Sequence, residues 1–244
     1  MGFDVSWHPI SQREMHRWYF DRLPEMRRGD SSGLEAVLER YDPGKEKGHQ
    51  GFCRKSYREM LVQGTKIGPD EPFSKTHGFI LAAVQGLFRP YYYTRGGAFS
   101  FLIAEYPELA AYTLPFEEIV GEQFPAPLES RITENYSGGV YIPEDQIPRL
   151  ASAYLSGKIR PQLEERFGNT LPVFLKALGH AGKEGLGLLE ATEVVEPNPL
   201  DLSATSCCSY LINCDPGGVM LYSETVKAQL DTAIRASGGD PATA

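Results

Sequence analysis

The sequence predicts an α+β fold: a helix-rich single globular domain with a small, mostly antiparallel sheet assembled from N-terminal, middle and C-terminal strands. Phe3, Val5 and Trp7 alternate with polar residues, which is the period of a strand with one apolar face. Two capping boxes, Ser-Gln-Arg-Glu at residues 11–14 and Ser-Gly-Leu-Glu at residues 32–35, each open a helical pattern. Further strand patterns follow only after residue 125, so the strands must be gathered from distant parts of the chain.

The most apolar part of the chain lies between residues 76 and 112. Its two apolar segments, residues 78–84 and 99–104, are expected to be buried helices at the centre of the fold. Pro90 ends the first of these helices because proline has no amide hydrogen to donate. Residues 89–97 contain three consecutive tyrosines and a glycine pair, and they are expected to form the turn between the two helices.

The other elements are predicted from capping residues, glycines and prolines. Helices are expected at residues 12–20, 32–41, 53–62, 75–88, from 98 with a break at Pro107, 143–156, 159–167, 171–180 and 223–236. Strands are expected at 130–136 and 139–142, a strand or extended segment at 186–195, and a hairpin of 207–213 with 219–222 around Asp-Pro-Gly-Gly. Residues 1–236 then form one domain, with a possible division near residue 125, and residues 237–244 form a flexible tail.

The charge balance restricts the classes of partner. The 244-residue chain has 32 acidic and 24 basic residues, a formal net charge of −8. This acidity argues against direct nucleic-acid binding and against docking on an anionic membrane, and it is compatible with a basic protein partner. No signal sequence and no membrane-spanning run is recognisable, and the four cysteines do not form a disulfide pattern. We therefore expect a cytoplasmic protein with reduced thiols.

No motif in the sequence carries a recognisable chemistry. The five histidines have no metal-ligand spacing, and the chain has neither a nucleophile-elbow motif nor a phosphate-binding loop. We therefore predict no catalytic residues, no metal and no cofactor. A site that is assembled only in the fold stays open.

One local cluster is suggestive of binding. Tyr91, Tyr92 and Tyr93 are flanked by Arg89 and Arg95, and tyrosine and arginine are enriched at protein-binding hot spots. The structural alternative is that at least one or two of the three tyrosines fill the core. Tyr91, Tyr92 and Arg95 are the predicted partner-binding residues.

Four blocks of the sequence resemble bacterial cytosolic immunity proteins, which are encoded beside toxins delivered between cells, including type VI secretion effectors. The blocks are Gly-Phe-Asp-Val-Ser-Trp-His-Pro-Ile-Ser at residues 2–11, Trp-Tyr-Phe at 18–20, Gly-Leu-Gly-Leu-Leu-Glu-Ala-Thr-Glu-Val-Val-Glu-Pro at 185–197 and Asn-Cys-Asp at 213–215. These blocks carry no catalytic residues, so the resemblance transfers no site.

The resemblance implies a protein that binds and neutralises a cognate toxin, encoded by an adjacent gene, by covering its active site. A nuclease is the favoured toxin, since an acidic protein can occupy a basic substrate cleft by mimicking phosphate charge. Two alternatives stay open: a small cytosolic hydrolase or transferase, and a non-catalytic adaptor.

Overall fold

The computed structural model describes residues 3–41, 50–120, 124 and 138–237. The helices are α1 (Gln12–Met15), α2 (Arg22–Arg27), α3 (Ser32–Tyr41), α4 (Gln50–Lys66), α5 (His77–Phe88), α6 (Phe99–Glu105), α7 (Phe116–Val120), α8 (Ile147–Leu155), α9 (Arg160–Phe167), α10 (Leu171–Glu184) and α11 (Pro216–Ala236). The strands are β1 (Asp4–Ile10), β2 (Tyr91–Arg95), β3 (Gly138–Ile142), β4 (Gly187–Thr192), β5 (Val195–Glu196), β6 (Ser206–Cys207) and β7 (Cys214–Asp215). A π-helical turn, His16–Phe20, follows α1, and short 3₁₀ helices cover Phe73–Lys75, Pro107–Tyr112, Gly168–Thr170, Leu202–Ala204 and Leu211–Asn213.

The main sheet has five strands in the order β3-β4-β1-β2-β7, and β5 pairs with β6 in a separate two-stranded sheet. The pairs β3–β4, β4–β1 and β1–β2 are antiparallel, whereas β2–β7 is parallel. The predicted α+β class and mostly antiparallel sheet are therefore confirmed. A division near residue 125 would separate β1 and β2 from β4, which belongs to the same sheet.

Helices cover both faces of the sheet. Because side chains alternate along a strand, Val5 and Trp7 of β1 pack with α6 and α8–α10, while Ser6, His8 and Ile10 face the opposite layer. That layer contains the π-helical turn and helices α2–α5 and α7. The sequence predicted one polar face for β1, but both faces are buried.

Helix α5 is the buried centre that its composition predicted. Every residue of α5 except Phe79 is buried. The helix packs against α4 and the sheet, which leaves Phe79 as its one partly exposed residue. The 3₁₀ turn Phe73–Lys75 precedes α5, and Arg89 in extended conformation follows it before Pro90.

The first capping box has the predicted geometry. The Ser11 hydroxyl accepts from the Glu14 amide, and the Glu14 carboxylate accepts from the Ser11 amide at 3.1 Å. The helix that it opens changes to π-helical hydrogen bonding at His16, and it buries Met15, Trp18 and Tyr19. The helical predictions for residues 32–41, 159–167 and 171–180 are also confirmed.

Two predictions are wrong: the turn at residues 89–97 and the hairpin of 207–213 with 219–222, whose first arm instead contains the end of β6 and the 3₁₀ helix Leu211–Asn213. Residues 91–95, expected to lie in a turn, form strand β2, because their tyrosines pair with β1 on one side and β7 on the other. Residues 219–222, expected to be a hairpin strand, lie in α11. The Asp-Pro-Gly-Gly stretch starts this helix: Asp215 caps it by accepting from the Gly217 amide, and Pro216 occupies its first turn.

The predicted strand at residues 130–136 lies outside the described residues, as do the predicted connector at residue 125 and residues 238–244 of the predicted tail.

The start of α11 touches the backbone of β2 at Gly218. A Cβ atom on Gly218 would collide with the Tyr93 carbonyl oxygen. We therefore expect Gly218→Ala to lower the free energy of unfolding by about 1–3 kcal/mol through overpacking. Urea unfolding followed by circular dichroism measures this change.

Gly179 on α10 provides the matched control, because a Cβ atom there meets nothing within 4 Å. Gly179→Ala is expected to stabilise the protein by about 0.5–1 kcal/mol, as alanine favours the helix. Equal effects of the two substitutions would contradict the close approach of α11 to β2.

Candidate functional site

The predicted binding residues Tyr91 and Tyr92 lie on β2, inside the sheet. Tyr91 and Tyr93 are fully buried, and Tyr92 keeps only 6% of its surface exposed. The alternative that these rings fill the core is therefore confirmed, and it holds for all three tyrosines. Helices α10 and α11 cover β2, so residues 91–93 do not form an exposed aromatic surface. A partner would reach the two predicted tyrosines only by displacing these helices.

The three tyrosine hydroxyls connect β2 to its surroundings. The Tyr91 hydroxyl lies 3.2 Å from the Cys207 thiol, and the Tyr92 hydroxyl lies 2.9 Å from Nδ1 of His180. The Tyr93 hydroxyl donates to the Asp4 carboxylate at 2.6 Å. These contacts tie β2 to the chain around β6, to α10 and to β1.

Arg95, the third predicted residue, lies at the edge of the structure. Its side chain is 28% exposed and forms a 2.5 Å ion pair with Asp4. The guanidinium carbon lies 5.0 Å from the ring centre of Tyr222 on α11. Of the three predicted residues, Arg95 is the one placed where a partner could touch it directly.

Acidic side chains gather near Arg95. Glu193 follows β4 with a left-handed backbone (φ 63°), which is uncommon for a residue other than glycine. Partial burial raises the pKa of the Glu193 carboxyl, and the negative charges of Glu196 and Asp4 raise it further. Arg95 lowers it. This end of the sheet therefore has an excess of negative charge.

The chain from residue 196 to residue 220 has an unusually apolar surface. We call it the 196–220 segment. Five of its large apolar side chains are exposed; among them, Leu200 is 61% and Ile212 58% exposed. The complete set is Leu200, Leu202, Leu211, Ile212 and Met220. Exposed apolar patches mark protein-contact surfaces, and five such side chains within 21 residues make this segment a candidate for one.

Side-chain hydrogen bonds hold the 196–220 segment against α5 and α11. The Ser209 hydroxyl donates to the Ala83 carbonyl at 2.6 Å, and the Asn213 amide donates to the carbonyls of Gly86 and Leu87. The Ser223 hydroxyl donates to the Pro199 carbonyl at 2.6 Å. The segment has little regular structure, yet these anchors fix its backbone, which reduces the entropy lost on binding.

The sequence around this segment contains no positive charge. Residues 184–226 include no lysine, arginine or histidine, but they include seven acids: Glu184, Glu190, Glu193, Glu196, Asp201, Asp215 and Glu224. Glu190 is buried, whereas the others are exposed or half-buried. Apolar side chains with acidic residues around them suit a partner that has apolar pockets and a basic rim.

A serine–histidine pair exists in the core. His8 Nε2 lies 2.8 Å from the Ser6 hydroxyl, and its Nδ1 lies 2.7 Å from the Gln85 side-chain oxygen. All three residues are essentially inaccessible to solvent. Burial lowers the pKa of His8 to about 4, so the imidazole is neutral at physiological pH. This network resembles a nucleophile with its base, but no substrate can reach it in this fold.

Glu190 is a buried carboxylate with a structural role. It accepts hydrogen bonds from the amides of Phe99 and Ser100 at 2.5 and 3.1 Å, and from the Ser100 hydroxyl at 2.5 Å. It therefore caps α6, which has no capping side chain of its own. Burial raises the pKa of Glu190 to about 7, and the hydrogen bonds from Ser100 and the backbone oppose this shift.

One titratable cluster reaches the surface through His180 and Lys176. His180, half-buried on α10, contacts the Tyr92 hydroxyl, and the Lys176 ammonium lies 5.9 Å from the Tyr92 ring centre while pairing with Asp215 at 2.6 Å. Partial burial lowers the pKa of His180, and Glu184 opposes the shift. Burial raises the pKa of Tyr92 and lowers that of His180, so both side chains are held in their neutral forms and share one hydrogen bond.

Within the described ranges, no three His, Cys, Asp or Glu side chains converge in a way that could hold a metal ion. In the same residues, no helix combines the length and the apolar character needed to cross a bilayer. All four cysteines are free thiols.

No protein-family model matches the chain, and the comparisons with curated proteins and with solved structures found no match either.

Sequence reasoning missed the 196–220 segment because its apolar residues are spread over an irregular stretch without helix or strand period. A usable signal existed in the charges. The 43 residues from Glu184 to Val226 lack any base, which is notable in a chain with 24 lysines and arginines.

Because the pKa of Glu190 is raised in the folded state, we expect this residue to make the stability of the protein depend on pH. The folded pKa of about 7 exceeds the ordinary value of 4.5, so the folded state holds this proton more tightly than the unfolded state. Glu190 therefore contributes stability below about pH 4.5 that is lost as the pH rises through 7. Relative to Glu190→Gln, the wild-type protein should lose about 3 kcal/mol of unfolding free energy between pH 4.5 and 8.

Denaturant unfolding of both proteins at several pH values tests this, because other titrating groups cancel in the difference. Glu118→Gln, an exposed residue of α7, serves as the control for the loss of one carboxyl group. If the difference in unfolding free energy between the wild type and Glu190→Gln does not change with pH, the raised pKa of Glu190 is contradicted.

Proposed function

We propose that this chain is a cytoplasmic immunity protein, which binds a cognate secreted antibacterial toxin and neutralises it by covering the active site. The observation that carries the proposal is the 196–220 segment: five exposed large apolar side chains, on an anchored backbone, within a 43-residue stretch that has seven acids and no base. The resemblance of the N-terminal and 185–197 blocks to immunity proteins supports the same class.

A nuclease-type toxin is the favoured partner. Nucleases bind phosphates through basic clefts, and the acidic residues around the segment would complement such a cleft. The apolar side chains would supply the desolvated centre of the interface, where most binding energy resides. Arg95 contacts Tyr222, which follows the segment in the chain, so we expect Arg95 to lie at the rim of the proposed interface.

A second class, a small hydrolase or transferase, is favoured by one observation, the hydrogen bond of the buried Tyr92 to His180, which reaches the surface beside Lys176. The sealed Ser6–His8 network offers no support for it. The variant His180→Gln separates the classes: an enzyme would lose its activity, whereas an inhibitor would still protect cells from the toxin. A non-catalytic adaptor would bind a partner without protecting cells.

The apolar part of the proposed interface predicts the effect of Leu200→Asp and Ile212→Asp. Each places a charge where the partner's apolar surface would lie, so we expect at least about 10-fold weaker binding to the product of the adjacent toxin gene. Affinity is measured by isothermal titration calorimetry, and protection is measured by growth of cells that co-express the toxin.

Leu155→Asp is the matched control, since Leu155 is 72% exposed but lies on α8, away from the segment in sequence. Its affinity should equal that of the wild type. Full protection by both segment variants would exclude the segment as the interface, and no binding to the wild-type protein would exclude the immunity function.

The electrostatic part predicts the association rate. The double variant Glu196→Lys/Glu224→Lys reverses two accessible acids of the base-free stretch, and we expect about 10-fold slower association at low salt. Stopped-flow or surface plasmon resonance at several salt concentrations measures this rate. Glu164→Lys, an exposed acid on α9, should leave it nearly unchanged. Equal slowing by both would show a general charge effect without a localised interface.

A further inference from the structure

A cleft lies between α1–α2 and α3, and its lining is basic although the chain as a whole is acidic. It has a volume of about 610 Å³. This is within the range of small-molecule sites in proteins, roughly 300–1,000 Å³. Its walls come from the π-helical turn and its neighbours on one side and from α3 on the other.

Arginines dominate the walls of this cleft. Arg13, Arg17, Arg22 and Arg40 line it, and Asp21 is the acidic residue among the lining side chains. With His16 neutral, the lining carries a formal charge of +3, whereas the whole chain carries −8. We call this site the arginine cleft.

The local fold brings the four arginines together. Arg13 and Arg17 are four residues apart across the change from α1 to the π-helical turn, a structure often found at functional sites. Arg22 begins α2 and lies against Gly33, where a Cβ atom would collide with its guanidinium group. Arg40 comes from the last turn of α3.

Most of this positive charge is not neutralised by the described residues. Arg22 pairs with Glu25 at 3.0 Å, but its Nε atom is buried without a hydrogen-bond partner. Arg17 donates to the neutral Tyr41 hydroxyl at 2.9 Å, and Arg40 lies 5.3 Å from the Tyr41 ring centre. Arg13 makes no ion pair or hydrogen bond within the described ranges.

This arrangement costs stability unless an anion occupies it. Like charges at four-residue spacing on a helix repel, and burying guanidinium nitrogens without acceptors is unfavourable. Two of the arginines are held in place by Tyr41, so their donors are preorganised. Guanidinium groups match oxyanions, and a phosphate group has several acceptor oxygens, so it can bridge arginines from different helices.

We propose that the arginine cleft binds a small phosphate-bearing ligand with at least two negative charges. The limited volume and the acidity of the chain disfavour a long polyanion. The inference is independent of the toxin-binding proposal, because it involves residues 13–41 and no residue of the 196–220 segment. Inorganic pyrophosphate is the simplest probe of this chemistry.

The test measures binding of pyrophosphate to the full chain by calorimetry and by thermal unfolding, against sodium chloride at matched ionic strength. At 100 times its dissociation constant, pyrophosphate should raise the melting temperature by about 5–10 °C. Arg13→Gln and Arg40→Gln should each weaken binding by about 10-fold or more. Both side chains are exposed, so the variants are expected to fold.

Arg235→Gln, an exposed arginine in the last turn of α11, is the control and should bind pyrophosphate like the wild type. Stabilisation no greater than that of sodium chloride would overturn the proposal, as would equal affinity in the wild type and Arg40→Gln. Citrate replaces phosphates with carboxylates, and equal affinity for citrate would overturn the assignment to phosphate.

Discussion

The position of β1 at the centre of the sheet is the constraint on which the rest of the fold depends. Its antiparallel pairing with β2 joins residues about 85–91 positions apart in the chain, and its pairing with β4 joins residues about 177–187 positions apart. Gln85 of α5 reinforces this centre. Its amide donates to the carbonyls of Pro9 and Pro90 at 3.1 and 3.2 Å, while its oxygen meets His8. One buried side chain thus satisfies acceptors at the end of β1 and before β2, and an unsatisfied polar group there would cost about 1–3 kcal/mol.

The same centre determines what the tyrosines of β2 can do. They are packed between β1, β7 and the helices, so they contribute burial and hydroxyl contacts instead of a free aromatic surface. The tyrosines therefore affect a partner only by positioning the residues that would contact it. Tyr91 contacts Cys207, Tyr91 and Tyr92 pair with Cys214 and Asp215, and these contacts fix both ends of the irregular chain that carries Leu211 and Ile212.

Local signals predicted the parts of the fold that local physics controls. The capping box at Ser11, the apolar run of α5 and the glycine-delimited helices near residues 160–184 are all present. Predictions failed where pairing between strands that are distant in the sequence determines the local structure. Three tyrosines between two helices have strong strand propensity, but no local pattern shows that β1 and β7 lie on both sides of them. Asp-Pro-Gly-Gly suits a turn and a helix start equally, and the preference depends on the docking of α11 onto Tyr93.

The charges illustrate why a total over the chain is a poor guide to surfaces. The chain with a net charge of −8 contains two unlike regions, one with four arginines around a cleft and one with 43 residues that lack a base. Screening limits electrostatic influence to about 8–10 Å in physiological salt, so a ligand at either region responds to the local charges. The net charge therefore argues against a nucleic-acid surface spread over the molecule, but not against a phosphate held by local arginines. Binding at each proposed site therefore depends on the charged side chains within about 8–10 Å of the ligand.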